Sequence, residues 1–293
     1  GNPLCANARV GRRVPGPFDS TPLTPIGHLP SLTLPQPGAA LAASIPDHWA
    51  GADIVFFDCD STLSSIEGVD ELAARRGVDV ARLTADAMAG TVPLADVYRR
   101  RLAEIRPQTE DFVWLADRYA QTAVAGAREV IAALEALGID CHVISGGLLP
   151  AVLPFALSLG VGKEKVHAVP YPVDAPDPVE IATAHPLARN GGKPEIVAEV
   201  CANGPARDRR MLVGDGSSDL EAGPVTGLFV GFGGVESRPP VAAAADLFLE
   251  CEGLWAVAGL AAGPDRLERL ETVAPEAHHR SLTDFPPLRT WIP

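Results

Sequence analysis

Two carboxylates separated by one residue, Asp58 and Asp60, are the first feature of this 293-residue chain that could do chemistry. Acids this close repel, so they coexist only with a cation or a shared proton. A divalent metal that prefers oxygen ligands meets that need. A second acidic pair, Asp215 and Asp219, stands in the run GDGSSD. Alone, that run also reads as a capped helix start, with Asp or Ser accepting backbone N–H bonds. Ser145, Gly146 and Gly147 form either an ordinary tight turn or a cradle in which glycine backbone N–H groups approach an anion. Lys193 follows two glycines where a helix begins. A cation opposes the helix dipole there, so its position points to a demand from elsewhere, the positive charge an acidic site needs for phosphate. Four carboxylates at two candidate strand ends point to metal chemistry.

The elements that position these groups follow from patterning. Ile54–Phe57 is a short continuous apolar run, the mark of a strand buried on both faces of a parallel sheet. It ends in Asp58, and ligands of open α/β sheets bind at the carboxyl ends of strands. Helical spacing then runs over 68–77, 80–89, Leu94–Ile105 and 110–120, with Leu72, Leu83, Met88, Val97, Leu102 and Ile105 in phase. Pro93 and Pro107 sit beside helix ends. With no strand between them, residues 66–120 read as a small helical cap inserted after the first strand.

Strands and helices then alternate. A helix over 127–137 closes at Gly138, suited to a left-handed cap; strand 139–144 leads into helix 150–159 and strand 165–169. Residues 170–191, rich in Pro and Asp, read as a flap or irregular loop. Helix 194–201, strands 211–213 and 227–231, a short strand at Phe248 and helix 254–260 follow. The fold class this implies is α/β, a doubly wound, mostly parallel sheet. The expected division is a Pro-rich, disordered extension over 1–45, an α/β core over 46–65 and 121–263, the cap over 66–120, and a C-terminal tail over 264–293 on which His278 and His279 sit in solvent.

Composition narrows the function. Hydrophobic residues make up 47% of the chain, enough for a sizeable core. A net charge of −13 disfavours a nucleic-acid or anionic-membrane surface. No apolar run reaches the roughly 18 residues of a spanning helix. Five scattered cysteines without a CxxC pair argue against a disulfide framework or zinc site and for a reducing, cytoplasmic setting. Arg9, Arg12 and Arg13 are not followed by the apolar stretch of a secretory signal, and an organellar transit segment is the alternative reading of that start. Leu63 and Val69 stand where an EF-hand needs Gly and Glu. Pro194 stands where a P-loop needs Ser or Thr, and no GxGxxG is completed.

The order DxDxT (Asp58, Asp60, Thr62), strand-terminal Ser145, Lys193 and GDxxxD (Asp215, Asp219) resembles that of the haloacid-dehalogenase-like phosphatases. Residues 58–72 (DCDSTLSSIEGVDEL), 87–94 (AMAGTVPL), 100–107 (RRLAEIRP), 143–147 (VISGG), 191–197 (GGKPEIV), 214–222 (GDGSSDLEA) and 231–234 (GFGG) are similar, more narrowly, to the phosphoserine phosphatase family. The likeness spans roughly 53–255.

The resemblance implies Mg²⁺-dependent hydrolysis of a small-molecule substrate, O-phospho-L-serine, through an aspartyl-phosphate, the last step of serine biosynthesis. Asp58 is then the nucleophile and Asp60 the general acid and base. Mg²⁺ is held by Asp58, the Asp60 carbonyl and Asp215, with Asp219 behind them; Ser145, Gly146 and Lys193 hold the phosphate. Glu67 meets the substrate ammonium and Arg101, selected over Arg99 and Arg100 by the RLAEIRP register, its carboxylate. Met88, Gly147 and Ser218 complete the substrate pocket. Ala89 stands where the family usually has Gly, and Leu94 where it often has Phe. The alternatives are a related phosphatase or phosphotransferase for another small phosphomonoester, or a non-enzymatic phospho-amino-acid sensor.

Overall fold

β1 (Ile54–Phe57) is buried at all four positions and lies inside a six-stranded sheet of order β3-β2-β1-β4-β5-β6. The computed structural model describes residues 45–79 and 94–292. The other strands are β2 (Asp140–Leu148), β3 (Val166–Val169), β4 (Arg210–Gly214), β5 (Leu228–Phe232) and β6 (Leu247–Leu249). Every pair is parallel, and the chain winds outward from β1 in both directions, as in doubly wound folds. Phe57 pairs with Val143 on one side and Val213 on the other. The three central strands therefore deliver Asp58, Ser145 and Asp215 to one edge. Asp58 N–H donates to Val213 O at 2.9 Å, carrying the ladder one residue into the site.

After β1 the chain leaves the sheet through a two-stranded neck. Ser64 and Ala123 form an antiparallel bridge, Ser65 N–H donates to Thr122 O, and Val124 N–H donates to Leu63 O. Beyond the neck lie α1 (Gly68–Arg76), α2 (Leu94–Ile105) and α3 (Thr109–Gln121). α1 carries Asp70 and Glu71 in its first turn and Arg75 and Arg76 in its last, both favoured by the helix dipole, and ends on a left-handed Gly77. Buried Asp111 at the start of α3 accepts from Arg75 and Arg76, binding α1 to α3. The expected helix 80–89, with Met88 and Ala89, lies outside the described residues, as does the extension before residue 45.

α4 (Ala127–Ala136) and α5 (Leu149–Leu159) flank β2 in sequence, and Gly138 takes the left-handed conformation expected of it. β2 is longer than the strand expected over 139–144: it runs through the two glycines to Leu148, with an irregularity between Ile144 and Leu148 where it pairs with β3. The segment read as an irregular loop contains α6 (Pro178–Ala184) and a 3₁₀ turn, Pro186–Ala188. Asp177 caps α6 by accepting from Glu180 N–H at 2.9 Å, and Pro178 occupies the first turn, where its missing N–H costs nothing. The Pro and Asp residues that suggested a loop are this helix's start signal. α7 (Gly192–Val200), α8 (Ser217–Leu220) and α9 (Pro239–Ala244) complete the helices among the remaining strands.

α10 (Trp255–Ala262) is buried around its whole circumference, so it needs partners on every side. One is α12 (Pro275–Asp284), which follows α11 (Leu267–Val273). This corrects the expectation of a solvated tail in part: His279 is exposed as expected, but His278, Ser281 and Leu288 are buried, and a Cβ on Gly259 of α10 would stand 2.5 Å from Leu288 Cδ1. The described residues belong to the unit Ala42–Pro293, and none of their helices is long and apolar enough to cross a membrane.

Candidate active site

The turn that follows β1 sends its two acids in different directions. The Cys59 carbonyl accepts from the N–H groups of Thr62, Leu63 and Ser64, and Ser61 is forced to φ 50°, a left-handed conformation rare for a residue with a side chain. Asp58 Oδ1 accepts from Cys59 N–H at 2.8 Å and lies 2.9 Å from Lys193 Nζ. Asp60 turns toward the neck: its Oδ1 accepts from Gly68 N–H at 2.8 Å and from the Tyr119 hydroxyl at 2.7 Å. Gly68 is required here, since a Cβ would stand 1.9 Å from the Tyr119 hydroxyl. Burial, then the neighbouring Asp58, push the Asp60 carboxyl up to about 6, while the Tyr119 and Gly68 bonds pull against that rise.

Lys193 lies in the first turn of α7 and is 4% exposed. Its ammonium bridges Asp58 at 2.9 Å and Asp219 at 2.5 Å, which answers why a cation tolerates a helix start. Asp219 is fully buried, and its second oxygen accepts from Gly216 N–H at 3.0 Å. It packs so closely under β4 that a Cβ on Gly214 would stand 2.2 Å from its carboxyl carbon. Asp215 accepts from the Thr62 hydroxyl at 3.3 Å and from Arg238 Nε at 2.8 Å.

Burial lowers the Lys193 pKa, but Asp219 and Asp58 outweigh it and hold it above the usual lysine value. Burial, then Asp58, push Asp219 up to about 8 despite Lys193; the same two causes raise Asp215. All three shifts ask for more positive charge than the side chains bring. Asp58, Asp215 and Asp219 offer carboxylate oxygens within 4.8 Å of one another. That hard, anionic, buried donor set fits a small divalent cation. The Asp60 carboxylate, tied to Gly68 and Tyr119, is not part of this grouping.

One cavity collects most of the residues singled out from sequence: Asp58, Asp60, Glu67, Arg101, Gly146, Lys193, Asp215 and Ser218 line it. Ser145 and Gly147 stand just behind, the Ser145 hydroxyl accepting from Gly147 N–H at 2.9 Å, and Asp219 lies beneath Lys193. Met88 lies outside the described residues. On the helical side, Glu67 accepts from the Ser61 hydroxyl at 2.8 Å; burial, then Asp60, raise its proton affinity. Arg101 pairs with Asp70, and its Nε is buried without a hydrogen-bond partner among the described residues.

Four contributors were not found from sequence: Tyr119 on Asp60, Tyr98, Asp70 and Arg238. Tyr98 donates to Gly146 O at 2.9 Å, holding helix α2 against the glycine turn. Asp70 lies one helical turn after Glu67, a spacing that was available to the eye. Nothing local marks the other three as a group: Tyr98 meets Gly146 across 48 residues, Tyr119 meets Asp60 across 59, and Arg238 meets Glu67 across 171.

No family model matches the chain. Phosphoserine phosphatase of Drosophila melanogaster is 35% identical over 196 residues, 65% of this chain and 72% of that one. The chloroplastic phosphoserine phosphatase of Arabidopsis thaliana is 34% identical over 207 residues, 69% of this chain and 70% of its own. A solved phosphoserine phosphatase carrying an analogue of its phospho-aspartyl intermediate superimposes with a TM-score of 0.57 at 26% identity, covering 70% of this chain and 96% of that one. With a parallel sheet that delivers its acids to one edge, and with relatives of this identity and coverage, the chain belongs to the phosphoserine phosphatase family of haloacid-dehalogenase-like hydrolases.

Proposed function

We propose that this chain hydrolyses O-phospho-L-serine to L-serine and phosphate in two steps on Asp58. The observation that carries the reading is a single cavity with opposed chemistries. Asp58 and Lys193 stand 2.9 Å apart at its base, while Glu67 and Arg101 face them from the helical side. In the first step an Asp58 oxygen attacks phosphorus, the bond to the serine oxygen breaks, and Asp60 gives that oxygen a proton. In the second, Asp60 takes a proton from water as the water oxygen attacks phosphorus and the Asp58 carboxylate leaves. Asp60 Oδ1 already accepts two hydrogen bonds, so Oδ2 carries the proton.

Lys193, the Gly146 N–H and the Ser145 hydroxyl, which accepts from Gly147 N–H and keeps its own proton to donate, hold phosphate oxygens. The residues fit Mg²⁺, held by the Asp58 and Asp215 side chains and the Asp60 carbonyl, with Asp219 fixed behind them by Lys193. When bound it supplies the charge neutralisation that an anionic nucleophile approaching an anionic phosphate requires. The unpartnered Arg101 Nε suits the substrate carboxylate, Glu67 its ammonium group, and the helices of 66–120 act as a cap. Met88, Gly147 and Ser218 complete the pocket. Free Cys59, Cys141, Cys201 and Cys251 suit a reducing compartment such as the cytoplasm.

The test is phosphate release from phosphoserine with Mg²⁺, beside phosphothreonine, phosphoethanolamine and p-nitrophenyl phosphate. A strong preference for phosphoserine, abolished by EDTA and restored by Mg²⁺, is expected. Metal-dependent turnover with another preference would keep Asp58 and overturn the assignments of Glu67 and Arg101.

Glu67→Gln and Arg101→Ala each lower kcat/KM for phosphoserine by roughly 30-fold or more, while p-nitrophenyl phosphate, with neither charged group, changes less than about threefold. Equal losses on the two substrates would refute the division of roles. Tyr119→Phe removes a hydrogen bond that favours ionised Asp60. Its pKa therefore rises above about 6, and because the acid must be protonated to act, the alkaline limb of the kcat/KM profile moves up by as much as about one pH unit. A downward shift would remove Asp60 from the acid role.

A further inference from the structure

Arg238 meets three carboxylates from three parts of the fold. Its Nε donates to Asp215 Oδ2 at 2.8 Å, and its Nη2 lies 2.8 Å from Glu236 Oε2 and 3.2 Å from Glu67 Oε1. Oxygens of the same three carboxylates fall within 4.8 Å of one another, so the guanidinium sits in a nest of three acids. The residue stands at the start of α9, directly before Pro239 and Pro240, on the loop that follows β5. Its side chain is 36% exposed and lines the cavity.

We propose that Arg238 is the resident counter-charge of Glu67, pairing with that carboxylate in the empty cavity and yielding it to the substrate's ammonium group on binding. The inference rests on the reading that Glu67 receives the ammonium, and it adds a residue that sets how strongly the enzyme demands one. Three features lead to it. Glu67 forms its one ion pair among the described residues with Arg238, so the guanidinium stands where the substrate's ammonium group would bind. The bond to Glu67 is the longest of the three, so it is the one given up, and Arg238 keeps Asp215 and Glu236 after the exchange. Glu236 is more exposed than Glu67, which gives the displaced guanidinium a partner on the solvent side.

This arrangement predicts a counter-intuitive selectivity. A substrate without an amino group leaves Arg238 on Glu67 and meets a neutralised acid. With the arginine charge removed, that substrate faces an uncompensated carboxylate, while phosphoserine still brings its own cation. Arg238 is thus a positioning residue that softens discrimination against amine-free phosphates.

The experiment compares phosphoserine with 3-(phosphonooxy)propanoate, the same molecule without the amino group, in wild type, Arg238→Gln, Arg238→Lys and Glu67→Gln. The ratio of the two kcat/KM values cancels any change that Arg238 exerts through Asp215, because both substrates share it. Arg238→Gln is expected to raise the ratio about tenfold, mainly through the KM of the amine-free substrate, and Arg238→Lys to restore the wild-type ratio. An unchanged or lower ratio in Arg238→Gln, with Glu67→Gln still collapsing it, overturns the proposal alone. A ratio insensitive to Glu67→Gln overturns the reading of Glu67 beneath it.

Discussion

Asp58→Asn abolishes turnover of phosphoserine, by at least about 10⁴-fold, and leaves the protein folded. The amide has no anionic oxygen to attack phosphorus, and among the described residues no other carboxylate beside it is free to replace it. Asp60 is fastened to Gly68 and Tyr119, Asp219 to Lys193, and Asp215 to Arg238. The fold survives because the asparagine oxygen still accepts from Cys59 N–H and Lys193 keeps Asp219. Stability should rise, since Asp58 is the second-largest cause of the raised pKa of Asp60, Asp215 and Asp219. A carboxyl whose folded pKa lies above its unfolded value destabilises the fold increasingly as pH climbs through that folded value. Without the Asp58 charge that penalty shrinks, so metal-free Asp58→Asn melts at the same or a higher temperature than wild type at pH 8. Phosphate release and thermal melts on protein shown by mass spectrometry to be free of deamidation check both halves. Residual activity in such a sample would displace Asp58 from the nucleophile's place.

That the proposed nucleophile is also a source of strain explains why this part of the molecule was legible in the sequence. Local rules are broken at it: two acids at the end of an apolar strand, and a lysine at the wrong end of a helix. Each violation has its compensation within the site, and such violations in natural sequences mark function. What stayed hidden depends on tertiary approach. Tyr119 reads as one more apolar position of an amphipathic helix, yet its hydroxyl reaches an acid 59 residues earlier. Arg238 sits among prolines in a loop and meets Glu67 across 171 residues. Elsewhere the signals were present and outweighed by composition. Asp177-Pro178 is a helix start inside a segment whose prolines suggested a loop. The run WAVAGLAA offers no polar face for solvent, so a helix built on it demanded cover from the C-terminal residues that were read as a tail.

Lys193→Met tests the electrostatic centre on which both the proposed nucleophile and the proposed metal ligands depend. The methionine fills much of the lysine's volume, so the change removes a charge rather than opening a cavity. Asp58 and Asp219 are then buried without their shared partner, and breaking such a pair costs about 3–5 kcal/mol. Activity falls by roughly 10³-fold, because the group that balances charge on the transferring phosphate is gone. The pH dependence separates this account from a simple packing defect. Asp219 is already pushed up to about 8 with Lys193 present, far above the ordinary 3.8, and it rises further without it. Stability carried by such a group is present at low pH and is lost as pH rises through the folded value. The melting-temperature gap between wild type and Lys193→Met, both metal-free, is therefore wider at pH 8.5 than at pH 5.5, where a protonated Asp219 no longer needs the ammonium. A packing defect would give the same gap at both. A gap wider at pH 5.5 would mean that the carboxylates near Lys193 are not the groups it stabilises, and the charge balance assigned to Asp58, Lys193 and Asp219 would fail with it.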